Sequence, residues 1–226
     1  IDIEEFLYKL DSNLLKKPAC IFHQGAITNT LERNGKLMFK YNYTFSVRLF
    51  NWANENDIPF IYASSAAVYG VNKICIEEKQ YENPINIYGY SKLAFDNYAR
   101  EKIKKSNSQI VGLRYFNVYG YGEQNKGNMA STIYQFYNQY KKNKKIKLFG
   151  DYLKFKKGTQ SRDFIYIDDV VETILWFYNN KNISGIFNLG TGKVASFNDV
   201  AREILFNEDS SNDQIFNSLR LDYKAV

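Results

Sequence analysis

Pro59-Phe60-Ile61-Tyr62-Ala63-Ser64-Ser65, the segment from Tyr88 to about residue 104, and Ile110-Val111-Gly112-Leu113-Arg114-Tyr115 together decide the fold. The first and last are short apolar runs bounded by polar residues, the pattern of a strand buried on both faces. The segment between them has helical character. A buried strand, a helix and a second buried strand imply parallel pairing. Upstream, Ala19-Cys20-Ile21-Phe22 reads as another buried strand, preceded by a weak helix over 3–10. A long helix over 35–55 is expected from Met38, Tyr41, Phe45, Leu49 and Trp52, which recur at three- and four-residue steps. Downstream of Gly120 the rhythm loosens. A helix is expected from Met129 to about Tyr140, and a short strand at Ile146-Lys147-Leu148-Phe149. A strand over 162–167 should end in Asp168-Asp169, which looks like the cap of a helix over 170–178. Gly185-Ile186-Phe187-Asn188-Leu189 reads as a strand, and Ser196-Phe197-Asn198-Asp199 opens a helix to about Leu205. Beyond Phe206 no pattern is legible. The expected class is α/β with a mostly parallel sheet.

The 226 residues carry 30 Lys+Arg against 24 Asp+Glu, a formal charge of +6, with 45% hydrophobic and 24% charged residues. That balance is ordinary for a globular protein and excludes wholesale disorder. No apolar run reaches the roughly 18 residues of a membrane-spanning helix. The opening Ile1-Asp2-Ile3-Glu4-Glu5 is acidic where a signal peptide would be basic. Two cysteines, Cys20 and Cys75, cannot build a disulfide framework or a four-ligand zinc site. The single histidine, His23, excludes a His-rich metal centre, and any Ser-His mechanism would have to use it. The expected location is the cytoplasm, with no metal, no membrane and no nucleic acid among the partners. The first residue is not methionine and falls where an acidic helix is already under way, so the chain is expected to be a fragment or a processed form.

Chemistry concentrates at Tyr88-Gly89-Tyr90-Ser91-Lys92. Residues four apart share a helix face, so Tyr88 and Lys92 should point the same way. An ammonium beside a phenol favours phenolate and lowers its pKa toward working pH. Such a tyrosine can take a proton from a sugar hydroxyl while hydride leaves for a nicotinamide. The spacing alone is weak, because it recurs at Tyr69, Tyr98, Tyr137, Tyr140 and Tyr152. Context singles out Tyr88: its helix follows a strand ending in Ser64-Ser65 and precedes one ending Arg114-Tyr115-Phe116-Asn117. Ligands in such sheets bind beyond the strands' carboxyl ends, where Ser65, Tyr88 and Asn117 should converge.

These residues resemble a known family. Ala63-Ser64-Ser65-Ala66-Ala67-Val68-Tyr69-Gly70, Tyr88-Gly89-Tyr90-Ser91-Lys92 and Arg114-Tyr115-Phe116-Asn117-Val118-Tyr119-Gly120 look like signatures of extended short-chain dehydrogenases/reductases acting on nucleotide-linked sugars. Phe22-His23-Gln24-Gly25-Ala26, Lys126-Gly127-Asn128-Met129-Ala130-Ser131, Ser161-Arg162-Asp163-Phe164-Ile165-Tyr166 and Gly185-Ile186-Phe187-Asn188-Leu189-Gly190-Thr191-Gly192 resemble its ADP-linked-heptose 6-epimerases. The resemblance implies a Rossmann-like, doubly wound sheet lacking its first strands, with a small α/β substrate-binding region. It divides the chain into a partial dinucleotide-binding domain over 1–117 and a mainly substrate-binding region over 118–226, with about 163–180 returning to the first.

It also implies roles. Tyr88 would be one acid/base, Lys92 its electrostatic partner and a ribose ligand, Ser65 a hydrogen-bond donor to the reacting oxygen, and Lys126 a second acid/base on the sugar's opposite face. NADP, with NAD possible, would meet Gln24, Gly25, Ala26, Ile27, Thr28, Asn42, Lys92, Val118 and Lys126. The ADP-linked heptose would meet Asn117, Asn128, Gln135, Phe149, Gly150 and Arg162, the last suited to bidentate diphosphate binding. A homo-oligomer is expected when the protein is complete. Two departures stand against this. The family's amino-terminal glycine-rich turn has no counterpart here, and its carboxy-terminal segment is unmatched in 207–226. Gly190-Thr191-Gly192 follows the wrong strand and resembles a substrate-domain turn. A 4-epimerase or dehydratase of another nucleotide sugar, or a truncated non-catalytic remnant, remains an alternative. The remaining motifs have plainer readings: His23 and Cys20 as core, Tyr134, Phe136, Tyr137 and Tyr140 as helix packing or a subunit contact, and the lysines of 141–147 as a solvated face.

Overall fold

The apolar runs around Phe60 and Ile110 lie side by side in a computed structural model that describes residues 3–148, 150–151, 155–206, 214, 216 and 218–220. In chain order the elements are α1 (Ile3–Asp11), β1 (Ile21–His23), α2 (Gly35–Phe39), α3 (Phe45–Glu55), β2 (Phe60–Ser65), α4 (Ile87–Ile103), β3 (Ile110–Tyr115) and β4 (Asn117–Tyr119). They continue with α5 (Thr132–Asn143), β5 (Ser161–Arg162), β6 (Phe164–Tyr166), α6 (Ile167–Asn179), β7 (Gly185–Leu189), β8 (Ala195–Ser196) and α7 (Phe197–Phe206). They fall into two units, one of Ile1–Arg114 with Leu175–Asn188, the other of Tyr115–Ile174 with Leu189–Val226.

The first unit is built on a four-stranded sheet of order β1-β2-β3-β7. β1 and β2 pair in parallel, with Ile21 opposite Phe60 and His23 opposite Tyr62. The loop after His23 and the Ser64-Ser65 pair therefore leave the sheet at the same end. Beneath them is an aromatic core. The Phe50 ring meets Phe60, Phe95 and Tyr98 edge-on at centroid distances of 5.4, 6.0 and 5.8 Å, and Tyr62 meets Phe95 at 4.8 Å. Such edge-to-face contacts add to the area the rings bury. His23 sits in this core beside Phe45, Phe60 and Phe95 and bonds Ser46 Oγ at 2.7 Å, a packed residue as the sequence suggests.

The helix expected over 35–55 is not continuous. A π-helical turn, Lys40–Thr44, separates α2 from α3. The buried positions become Met38, Asn42 and Ser46 before the apolar pattern resumes at Leu49 and Phe50. A wider turn accommodates an inward Asn42 side chain, whose hydrogen bonds are described below. Turns of this kind occur often at functional sites.

The second unit carries a parallel pair, β4 with β6, and an antiparallel pair, β5 with β8. Its core is Tyr119, Ile133, Phe136, Tyr137, Tyr140, Phe164, Tyr166, Phe197 and neighbours, so the aromatic stripe of α5 is packing. The lysines at 141, 142, 144, 145 and 147 are exposed. Three expectations need correction. The strand over 162–167 is broken at Asp163, because that carboxylate turns aside to bind backbone N–H groups. α6 begins at Ile167, so Asp168 and Asp169 lie in its first turn rather than capping it. Negative charge there still favours the helix dipole, and Asp169 also pairs with Arg220. Ile146, Lys147 and Leu148 form no strand, and Phe149 lies outside the described residues. Among the described residues no helix is long and apolar enough to cross a membrane.

Burial, and then the charge of Lys92, push the His23 pKa down to about 4. A group that is harder to protonate folded than unfolded holds its stabilisation above pH 6.5 and loses it as pH falls toward 4. Denaturant unfolding followed across that interval should show a loss attributable to His23 of about 3 kcal/mol. The variant His23→Asn should show a correspondingly flatter profile.

Candidate functional site

The first cluster of chemical interest is assembled by the start of α4. Asn86 caps the helix by accepting from Gly89 N at 2.8 Å. Gly89 then lets the helix touch the 3-10 turn Ala66–Tyr69 that follows β2. A Cβ there would lie 2.7 Å from the Ala67 carbonyl oxygen and 2.9 Å from Pro84 Cβ. That close approach sets Tyr88 beside Ser65. The serine hydroxyl also caps the turn, accepting from Ala67 N at 3.1 Å.

One helical turn along, Lys92 is buried with its Nζ 5.9 Å from the centre of the Tyr88 ring and 2.9 Å from the Ala63 carbonyl, to which it donates. An ammonium carries three donors. Among the described residues Ala63 is its hydrogen-bond acceptor, so donors remain for a further group. Burial pulls the Lys92 pKa down to about 8, and the Asp96 carboxylate pulls it back up. Tyr88 differs from its expected state. Burial raises its pKa above 10, and the Ser65 hydroxyl works the other way by hydrogen bonding. Desolvation of the phenolate therefore outweighs the help it receives in the chain alone.

Residues 24–28 follow β1 without regular structure, and Asn42 holds them. Its Oδ1 accepts from Ile27 N at 2.8 Å, and its Nδ2 donates to Ile27 O at 2.9 Å. The same Nδ2 lies 3.1 Å from Ser91 Oγ and 3.0 Å from Met38 Sδ. Asn42 thus ties the loop to α4 next to Lys92, and its buried carboxamide is engaged within the protein. Gln24, Gly25 and Thr28 are exposed, and the space around Gly25 is open.

Sequence reasoning missed the group behind Lys92. Asp96 is fully buried and accepts from Tyr62 OH at 3.0 Å, Ser64 Oγ at 2.9 Å and Arg114 Nε at 2.9 Å. Arg114, itself fully buried, also donates to Glu82 Oε1 at 2.5 Å and Tyr69 OH at 2.9 Å. Asp96 continues the four-residue stripe of Tyr88 and Lys92, and that periodicity was the available signal.

The other expected residues belong to the second unit. Asn117 donates to the Asp163 carbonyl at 3.0 Å, and Val118 is half-buried on β4. Lys126 and Asn128 are exposed on a loop closed by a buried carboxylate. Glu123 accepts from Gly120 N at 3.2 Å, Ser131 Oγ at 2.8 Å and Ser131 N at 2.5 Å. Gln135 donates to Ala130 O at 2.8 Å, which secures the same loop. Arg162 is exposed, its guanidinium 5.8 Å from the centre of the Phe197 ring. Gly150 is exposed. Asp163 accepts from Thr191 N, Thr191 Oγ1 and Gly192 N at 2.7–2.9 Å, which assigns Gly190-Thr191-Gly192 to wrapping this carboxylate. A Cβ on Gly190 would lie 2.6 Å from Asp163 Oδ2.

The chain is similar to known proteins. Residues 10–190 fit the family described as NAD dependent epimerase/dehydratase. The chain belongs to that family. The matched span includes Ser65, Tyr88, Lys92, Asp96 and Arg114 in the first unit and Lys126 and Arg162 in the second. An ADP-L-glycero-D-manno-heptose-6-epimerase of Pseudomonas aeruginosa is 43% identical over 214 residues, 95% of this chain. The chain spans 65% of that relative's length. The crystal structure of the Helicobacter pylori ADP-L-glycero-D-manno-heptose-6-epimerase superposes with a TM-score of 0.80 at 34% identity, over 92% of this chain and 63% of that one. A Thermotoga maritima UDP-glucose 4-epimerase, solved with UDP-glucose, gives 0.76 at 25% identity, over 94% and 68%. The fold is the Rossmann-like α/β fold of this epimerase family.

Removing the Asn42 carboxamide would leave Ile27 N–H and C=O without their partner. Asn42→Leu should lower unfolding free energy by about 1–3 kcal/mol. Limited proteolysis should then cut within residues 24–33 faster than in the parent.

Proposed function

We propose that the protein carrying this chain is an epimerase that inverts carbon 6 of an ADP-linked heptose through a transient ketone, using NADP or NAD, in the cytoplasm. The observation that carries the reading is a buried ammonium one helical turn from a half-buried phenol, with a serine hydroxyl beside that phenol. It is supported by the names of the Pseudomonas aeruginosa and Helicobacter pylori relatives, the nearer of these two being 43% identical.

The residues of the first unit fit a nicotinamide nucleotide. Lys92 has donors to spare for ribose hydroxyls, and the 24–28 loop is held open next to it by Asn42. When bound, the dinucleotide would accept and return hydride and bring the positive charge of its oxidised ring. The chain's own residues manage the proton. Tyr88 Oη takes it from the sugar hydroxyl, Ser65 bonds the same oxygen, and the Lys92 ammonium favours the phenolate. Burial makes that phenolate costly in isolation, so each nearby positive charge counts. Lys126 is assigned the proton of the other stereoisomer, since hydride returning to the opposite face of a flat ketone needs a donor of its own. The first unit is read as the dinucleotide-binding part and the second as the mainly substrate-binding part, with Asn117, Asn128 and Arg162 toward the sugar nucleotide.

In the full-length protein, Tyr88→Phe should lower epimerisation of the ADP-heptose by about 10²–10⁴-fold, and Lys126→Ala should give a comparable loss. The parental rate in either variant would remove that residue from the mechanism. Turnover of UDP-glucose but not of the ADP-heptose would replace the substrate assignment with a 4-epimerase.

A further inference from the structure

The buried and half-buried charges behind Tyr88 alternate in sign. Arg100 and Arg114 both pair with Glu82, and Arg114 pairs with Asp96, so two guanidinium groups and two carboxylates form a set balanced in charge. Lys92 is a further cation added to this set, buried and one helical turn from Asp96 on the same face of α4. Both groups are fixed to consecutive residues of β2: Asp96 accepts from Tyr62 and Ser64, and Lys92 donates to the carbonyl of Ala63. An arginine–carboxylate set that only held the strands together would need no lysine in this position.

We propose that Asp96 is a positioning residue that keeps Lys92 charged beside Tyr88, with Arg114 in turn holding Asp96 ionised. This rests on the functional reading of Tyr88 and Lys92 given above. The groups facing the pair come from every neighbouring element. β1 supplies His23, β2 supplies Tyr62, β3 supplies Arg114, the 3-10 turn supplies Tyr69 through Arg114, and α4 itself supplies Arg100. The π-helical turn supplies neutral Asn42, by way of Ser91. Within the pair, Asp96 opposes the burial penalty on Lys92. Asp96 pays its own burial penalty, which Arg114, Ser64 and Tyr62 offset.

The test is the titration of Lys92 followed by NMR of ¹³Cε-labelled lysine in the full-length protein, with the resonance assigned from Lys92→Met. The midpoint should lie near 8 in the parent and fall by about one pH unit or more in Asp96→Asn. Activity of Asp96→Asn should be about fivefold or more below the parent at pH 8 and recover toward it at pH 6, where Lys92 regains its proton. A loss of packing would depress the rate at both pH values. Coupling between two charges is mutual, so Lys92→Met supplies the converse measurement even if Asp96→Asn fails to fold. It removes the extra cation without stranding a buried charge, and the Asp96 carboxyl, followed by ¹³Cγ NMR, should titrate higher than in the parent. An unmoved Lys92 midpoint in Asp96→Asn, or an unmoved Asp96 midpoint in Lys92→Met, overturns the proposal. These titrations need no substrate. An active Tyr88→Phe would therefore overturn the functional reading while leaving the charge coupling measurable.

Discussion

The ion pair between Arg114 and Asp96 is the constraint on which the first unit depends. Both groups are fully buried, and a buried charge without a partner is strongly destabilising. The pair therefore fixes three elements at once: β3 through Arg114, α4 through Asp96, and β2 through the Tyr62 and Ser64 hydroxyls that complete the carboxylate's shell. The adjacent Phe95 fixes α4 a second time by packing on Tyr62 and Phe60. Sliding the helix by one residue would put the carboxylate among aromatic rings and the ring among charges. With that register set, Lys92 and Tyr88 fall where they do, and Gly89 permits the close approach that brings Tyr88 to Ser65.

A related device recurs in the second unit. Buried carboxylates there serve backbone N–H groups. Glu123 closes the loop that carries Lys126 and Asn128, and Asp163 closes the Gly190-Thr191-Gly192 turn. Charge-assisted bonds from backbone donors to an ionised acceptor are stronger than neutral ones, so these short segments are held with no more than 3-10 turns. Of the side chains expected to meet the substrate, Asn128 lies on the loop closed by Glu123 and Arg162 is next to Asp163.

The strands around Phe60 and Ile110 and the helix from residue 87 were legible because apolar runs and helical spacing report burial directly. The family was legible because Ser65, Tyr88 and Lys92 occur in a fixed relation to those elements. Three features were hidden for physical reasons. The π-helical turn at Lys40–Thr44 exists to seat one polar side chain, and hydrophobic periodicity cannot see a buried asparagine. The break at Asp163 arises from tertiary bonds to residues 28 and 29 positions away. The state of Tyr88 was misjudged because spacing shows the favourable ammonium but not the cost of desolvation. The importance of Asp96 and Arg114 was missed because charged residues in a sequence read as surface until their partners are known.

The central claim is that Tyr88 is a half-buried phenol that desolvation keeps neutral in the chain alone and that a bound oxidised dinucleotide, beside the Lys92 ammonium, would bring nearer to ionisation. The direct measurement is the titration of Tyr88 by ¹³Cζ-tyrosine NMR in the full-length protein, with and without oxidised dinucleotide. The account predicts a midpoint above 10 without the dinucleotide and a clear downward shift with it. A midpoint at or below 10 in its absence, or one that the dinucleotide leaves unchanged, would contradict it.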